Sequence, residues 1–279
     1  MKELEEIPDL LIYRPAAFMI VRLIYPTSIT PNQVSLTAIV MGLTAGVFYA
    51  GGDQRSYMAG ALFFLMFNIL DCADGQLARL KRNGTPAGRI IDGVSDYIAT
   101  AAVFTGIAIG FALQSGRPAY WMLMLVLTAL STIVHSLLVD YYRLRFSSHM
   151  SGTGSVSGQD NEIFRKEYEA LKGRKGKAAE RLVLYLYLRY TALQDLLAAK
   201  KEQTKAFVAT PEEYYRKNRL LMRLWLFIGP TMQVTNIIVC SLIGRFDIFI
   251  WVVVAGFNTL ALVLWIAQKI ADSTFKKES

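Results

Sequence analysis

The chain has 279 residues, 53% of them hydrophobic and 19% charged, with a mean hydropathy of +0.33. Soluble domains run at about 45–50% apolar and about 25% charged, so the composition excludes an ordinary soluble enzyme; the long apolar blocks also exclude disorder and the short alternating strands of a membrane barrel. Lys and Arg outnumber Asp and Glu by 30 to 22, a net charge of +8, which in so apolar a chain points to membrane topology and anionic headgroups, not to nucleic acid.

Residues 1–29 open on MKELEEIPDLL, acidic where a secretory leader is basic, so no cleaved targeting peptide is expected. The stretch Leu10 to Tyr25 carries Arg14 and Arg22 among apolar and aromatic residues and predicts a helix lying in the membrane interface. Pro26 and Pro31 bracket the turn TSIT, and Pro31 suits the first position of a helix. Mostly apolar stretches follow at 31–51, 56–80, 87–113, 118–144, 219–243 and 247–270, each long enough at 1.5 Å per residue to cross a hydrocarbon core of about 30 Å. The expected fold is therefore all-α: a polytopic membrane protein of six transmembrane helices with an N-terminal interfacial helix. It forms one membrane domain over 1–279, divided into the interfacial segment 1–29, spans one to four in 30–144, an insertion at 145–218, and spans five and six in 219–279.

The connections after spans one, three and five are short and hold GGDQR, SGRP and GRFD, with only Arg55, Arg117 and Arg245 as cations. The opposite side carries Lys81, Arg82, Lys276, Lys277 and sixteen Lys or Arg between Arg143 and Arg219. The positive-inside bias predicts that both termini and the insertion are cytoplasmic in the cell membrane. The insertion opens on SSHMSGTGSVSG, read as flexible, and turns helical in pattern; its apolar part, Leu182 to Leu197, is short and holds Arg189 and Asp195, so an interfacial or cytosolic helix is expected there. Cys72 and Cys240 lie in apolar stretches as packing residues, His135 reads as a packed polar residue and His149 as a loop residue. Trp121, Trp225, Trp251 and Trp265 read as interface anchors or lipid-facing residues.

Spans two and three read NILDCADGQLARLKRNGTPAGRIIDGVSDYIAT and hold Asp71, Asp74, Asp92 and Asp96. One ionisable residue near the centre of a span costs about 2.5–3.5 kcal/mol on the lenient insertion scale, and four like charges cost more than their sum, so a cation is required. Asp71 and Asp74 are spaced i, i+3 and Asp92 and Asp96 i, i+4, placing each pair on one helix face. With NGTP as a tight turn, Asp71 and Asp96 are equidistant from position 83.5, and Asp74 and Asp92 from position 83, which matches their heights on an antiparallel hairpin. Hard oxygen ligands so clustered suit Mg²⁺ or Mn²⁺. Arg79 is placed to meet a phosphate bidentately, and Gly75, Ala78 and Gly88 leave room for a phosphorylated ligand against the backbone.

The order Asp71, Asp74, Gly75, Ala78, Arg79, Gly88, Asp92, Asp96, with the intervening spacings of this chain, resembles in full the signature of the CDP-alcohol phosphotransferase (CDP-alcohol phosphatidyltransferase) family. Eight fixed positions match by chance on the order of one time in 10⁹ at average residue frequencies. The motif covers residues 71–96 and the six-span plan resembles the family's fold over most of the chain, the insertion 145–218 excepted. The resemblance implies transfer of a phosphoalcohol from a CDP-linked donor to a hydroxyl, in phospholipid biosynthesis, with release of CMP. It implies that Asp71, Asp74 and Asp92 bind metal, two ions being expected, with Asp96 as a shared ligand or the base, and that Gly75, Ala78, Arg79 and Gly88 line the donor site. Thr30, Pro31 and Asn32 match the family's frequent start to the first span, which makes Asn32 a further donor-site candidate. Where choline and ethanolamine phosphotransferases commonly place a His after the third aspartate, this chain has Gly93. A site opening to the cytoplasm, contact with membrane lipids, no nucleic acid and a homodimer are expected.

The acceptor stays open at this point. CDP-diacylglycerol with a small polar alcohol such as inositol phosphate, glycerol phosphate or serine is one pairing; a soluble CDP-alcohol with a lipid alcohol is the other. Arg143 and Arg145 at the end of span four favour a phosphorylated acceptor, with Arg143 as its candidate contact, although topology explains them equally well. An ion or metal transporter would favour repeated halves, and spans five and six carry no second acidic cluster; a prenyltransferase would place its acidic motifs farther apart than Asp74 and Asp92.

Overall fold

The computed structural model describes residues 4–82, 86–151 and 211–276, with a few between 165 and 188; for 86–93 the description is of the backbone. The described residues are helical, without strands. A π-helical turn, Asp9–Tyr13, leads into α1 (Arg14–Ile24); α2 (Pro31–Tyr49), α3 (Gln54–Lys81), α4 (Pro86–Ile107) and α5 (Pro118–Ser151) follow, then α6 (Pro211–Leu226), α7 (Pro230–Leu242), α8 (Phe246–Trp251) and α9 (Asn258–Lys276). Six helical stretches among the described residues are long and apolar enough to cross a membrane, so the chain is a multi-pass membrane protein.

Local chemistry sets the starts. Thr30 caps α2 in a reciprocal box with Gln33: the Gln33 N–H donates to the Thr30 hydroxyl at 3.4 Å and the Thr30 N–H to Gln33 Oε1 at 2.9 Å, with Pro31 at the first helical position, where its missing N–H costs nothing. Asp53 caps α3 by accepting from the N–H groups of Arg55 and Ser56 at 2.9 and 3.1 Å. Helix α3 ends at Arg82, which adopts a left-handed conformation (φ 52°); of the expected NGTP turn, residues 83–85 lie outside the described residues and Pro86 opens α4.

Helix α2 packs extensively on both α3 and α4. Lipid tails are as apolar as Leu, so this contact rests on close backbone approach rather than on hydrophobic burial. Gly42 and Gly46 form a GxxxG face: a Cβ on Gly42 would lie 2.5 Å from the Ala99 methyl, and one on Gly46 2.6 Å from the Ala102 carbonyl oxygen. Helix α1, with the π-helical turn before it, packs on α3, burying Tyr13, Ala17 and Val21 in one cluster with Val34 of α2 and with Ile69, Ala73 and Leu77. Its outward face exposes Leu11, Phe18, Met19 and Leu23, as an interfacial helix requires.

The structure corrects several boundaries. The fourth span was expected to end at 144 and a flexible segment to begin with SSHMS, but α5 continues through Ser151, because packing overrides the weak propensity of these residues: Phe146 packs on Tyr214 and Tyr215, and His149 stacks on Tyr214 with ring centroids 4.2 Å apart. His149 is thus a helix residue, not a loop one. The fifth span starts earlier, at Pro211, and is broken at 227–229 before Pro230, which cannot continue the hydrogen-bond ladder. Trp225, expected at the interface, is fully buried and stacks on Tyr142. Most of the insertion, including the greater part of Leu182 to Leu197, lies outside the described residues.

His135 is packed as expected, its Nε2 donating to Asn258 Oδ1 at 3.0 Å, and Cys72 and Cys240 are free thiols among apolar neighbours.

Candidate active site

The candidate residues lie on the second half of α3, the first turns of α2 and the first half of α4. One face of α3 carries Asp71, half-buried, and Asp74, buried at 5% exposure. The Ser35 hydroxyl, one turn into α2, donates to Oδ2 of Asp74. Asn32 stands three residues before Ser35 on the same face and is exposed, so the turn of α2 that contains it is the one that touches Asp74.

Beyond Asp74, a Cβ on Gly75 would meet only Nη1 of Arg79, at 3.7 Å. The surface of α3 beside Gly75 is therefore open, and the Arg79 guanidinium lies back along the helix toward it. Ala78 is half-buried and Arg79 exposed. On α4, Asp92 and Asp96 are helical and one turn apart, and Asp96 is exposed beside buried Ser95. The side chain of Asp92 and the surroundings of Gly88 lie outside the described residues. Among the described side chains, of which that of Asp92 is not one, no three candidate ligands stand together at metal spacing.

Arg143 is engaged elsewhere. Its guanidinium lies 3.5 Å from Glu6 and 3.7 Å from Asp140, while its Nε has no partner. Glu6 is 1% exposed, and its Oε2 accepts the Met232 N–H at 2.9 Å, so a residue from the start of the chain satisfies the open N-terminus of α7. A side chain at Gly229 would collide with that carboxylate. Burial pushes Glu6 up to about 7, against the pull of the Met232 N–H and of Arg143; Asp9, hydrogen-bonded by the Thr231 hydroxyl at 3.3 Å, is also raised by burial. From the same segment, the Arg14 carbonyl accepts from the Gln76 amide at 3.1 Å, so the N-terminal helix is tied to α3 one residue after Gly75.

Sequence reasoning missed Ser35 and Glu6. A lone Ser in a span gives no signal, and Glu6 sits in an acidic run that reads as solvated; the GLTAG of residues 42–46 was a legible sign of close helix approach.

A bundle of membrane-length helices with aspartates on one face of α3 and others on α4, an open face at Gly75 and an arginine beside it defines a polytopic membrane protein with acidic residues at helix level. A model of the CDP-alcohol phosphatidyltransferase family matches residues 28–200, more than half of the chain, and the chain belongs to that family. It is 32% identical over 185 residues to a bifunctional IPC transferase and DIPP synthase of Rubrobacter xylanophilus, covering 63% of this chain and 38% of that one. It is 29% identical over 151 residues to a phosphatidylinositol phosphate synthase of Corynebacterium glutamicum (54% and 61%), and 32% identical over 133 residues to one of Mycobacterium tuberculosis (45% and 55%). The chain thus spans between 38% and 61% of the length of these relatives. Divalent-metal dependence is general in the family, and membership sets aside the transporter and prenyltransferase readings.

Proposed function

We propose that this protein is a membrane transferase of phospholipid biosynthesis that moves a phosphatidyl group from CDP-diacylglycerol to the hydroxyl of a phosphorylated polyol, releasing CMP. The observation that carries the reading is the carboxylate face of α3, with buried Asp74 held by Ser35 beside the open strip at Gly75 and Arg79, inside a chain of this family. The names of the relatives, phosphatidylinositol phosphate synthases among them, support a lipid donor and an acceptor such as inositol phosphate over a soluble CDP-alcohol and a lipid alcohol.

The donor set fits a hard divalent cation. Asp71 and Asp74 offer carboxylate oxygens from one face of α3, and Asp92 and Asp96 stand one turn apart on α4; these residues would hold Mg²⁺ or Mn²⁺, with two ions as the fuller assignment. Bound there, the metal would neutralise the diphosphate and stabilise charge on the leaving phosphate. Gly75, Ala78 and Gly88 let the diphosphate approach backbone, Arg79 reaches a phosphate oxygen, and Asn32 borders the same place from α2. Asp96 takes the acceptor's hydroxyl proton as its oxygen attacks the phosphorus bearing the lipid alcohol; the bond from that phosphorus to the CMP oxygen breaks, and CMP departs. Arg143 serves a phosphorylated acceptor only if its pairing with Glu6 and Asp140 exchanges for the acceptor's phosphate.

In this reading the site opens to the cytoplasm with both termini on that side, which the excess of Lys and Arg in the loops supports, and the protein works as a homodimer. The test supplies purified protein with CDP-diacylglycerol and a panel of inositol phosphate, glycerol phosphate, serine and inositol, and reads CMP. Release with a phosphorylated acceptor alone supports the proposal; release only when a soluble CDP-alcohol meets diacylglycerol overturns it.

A further inference from the structure

Hydroxyls within these helices usually return to their own backbone, as membrane helices favour. Thr37 donates to the Gln33 carbonyl at 2.9 Å, Thr44 to that of Val40 at 2.7 Å, Thr105 to that of Ala101 at 2.7 Å and Thr128 to that of Met124 at 2.7 Å. Ser35 has the same option, since the Pro31 carbonyl oxygen lies 3.2 Å away, yet it also reaches across to Oδ2 of Asp74 on α3. A hydroxyl has one proton, and an ionised carboxylate is the stronger acceptor.

We infer that Ser35 is a positioning residue: its hydroxyl fixes the orientation of the Asp74 carboxylate and thereby sets the affinity of the site for its divalent cation, without touching substrate. This rests on the reading of Asp74 as a metal ligand. The last torsion of an aspartate is broad and roughly two-fold, so a ligand carboxylate needs a fixed donor to hold one oxygen in place. Ser35 is such a donor because its own position is set by rigid structure. It lies one turn beyond the Thr30–Gln33 capping box, on a helix pressed against α4 through Gly42 and Gly46 and packed extensively on α3. The close packing of α2 thus carries positional accuracy from the helix cap to the carboxylate. Partners of metal-bound carboxylates are worth about 10- to 100-fold in affinity or activity, which is the effect expected here.

The test uses the full-length protein in nanodiscs and titrates Mg²⁺ calorimetrically in the presence of CMP, alongside the Mg²⁺ dependence of CMP release. Ser35→Ala, benign to a helix, is expected to weaken Mg²⁺ about 10- to 100-fold and to shift the half-activating Mg²⁺ concentration upward by the same factor, with kcat at saturating Mg²⁺ within a few-fold of wild type. Ser35→Thr keeps the hydroxyl and is expected to restore Mg²⁺ affinity. Wild-type Mg²⁺ affinity in Ser35→Ala, while Asp74→Asn loses it, overturns the positioning role alone, as does a Thr variant as weak as Ala. Wild-type Mg²⁺ affinity in Asp74→Asn overturns the metal-ligand reading on which the inference stands.

Discussion

Where α5 packs on α6, α7 and α9, several polar groups inside the bundle come in matched sets. Arg145 meets Asp272 at 2.6 Å, and Gln268 donates to Asn218 at 2.7 Å and to Asp272 at 3.2 Å. His135 stands between Asn258 at 3.0 Å and Gln233 at 3.4 Å, with the Asn258 amide donating to Ser131 at 2.9 Å. There a positive charge faces a negative one and neutral donors face neutral acceptors, the arrangement that makes a buried polar network structural. On α3 and α4 the chain instead groups four carboxylates within residues 71–96, with a neutral hydroxyl on Asp74. Charge of one sign collected at membrane depth is a demand for a ligand of the other sign. The two regions differ in their pattern of charge, and only the carboxylates of α3 and α4 call for a divalent cation.

The sharpest break of this comparison is on α3. Asp71→Asn or Asp74→Asn is expected to lower CMP release by more than about 100-fold, beyond the loss of an outer partner, without recovery at high Mg²⁺. Turnover within a few-fold of wild type in either variant would move the metal elsewhere.

Asp96→Asn sharpens the division of labour within the cluster. Loss of a positioned base costs about 10²–10⁴ in rate, so kcat should fall by that much while a nonhydrolysable CDP donor still binds with Mg²⁺. If donor binding is lost as well, Asp96 is chiefly a ligand.

The matched set should respond in stability and not in chemistry. Asp272→Asn leaves Arg145, about one-fifth exposed, without its countercharge, and a cost on the order of 1–3 kcal/mol is expected, below that of a fully buried pair. Thermal unfolding should shift down while the Mg²⁺ dependence of CMP release stays in place; a displaced Mg²⁺ dependence would join the two regions into one site.

The effect most confined to one element concerns the N-terminal segment. Glu6 ordinarily titrates near 4.5 and is raised to about 7 by burial, so the docked segment binds a proton. Its docking is strongest below about 4.5, weakens as pH rises through 7 and carries its full penalty, about 3 kcal/mol, above that. Proteolytic protection of residues 4–24 should therefore be greater at pH 5.5 than at pH 8.5, and Glu6→Gln should flatten the difference. Protection that grows with pH would contradict the sign.

The sequence makes much of this visible, and the limits have physical causes. Span number, the interfacial helix and the aspartates are legible because hydrophobic length and intramembrane charge are costs that no context removes. Pro31 at the first position of α2 was legible from local chemistry. The length of α5 was not, because His149 and Phe146 are held by Tyr214, some 65 residues later, against their local propensity. Trp225 looked like an anchor because residue type cannot say which face of a helix is turned inward. Glu6 caps α7 from 226 residues away, and Ser35 gains its meaning only from the packing of α2 on α3.

The central claim is that the like-charged cluster is the cation site and the charge-matched one is not. Electron paramagnetic resonance of Mn²⁺ titrated into the purified protein reads this directly, through the loss of the free-ion signal. The account predicts saturable Mn²⁺ uptake in wild type, its loss in Asp74→Asn, and unchanged uptake in Asp272→Asn; uptake that survives Asp74→Asn, or that Asp272→Asn abolishes, would contradict it.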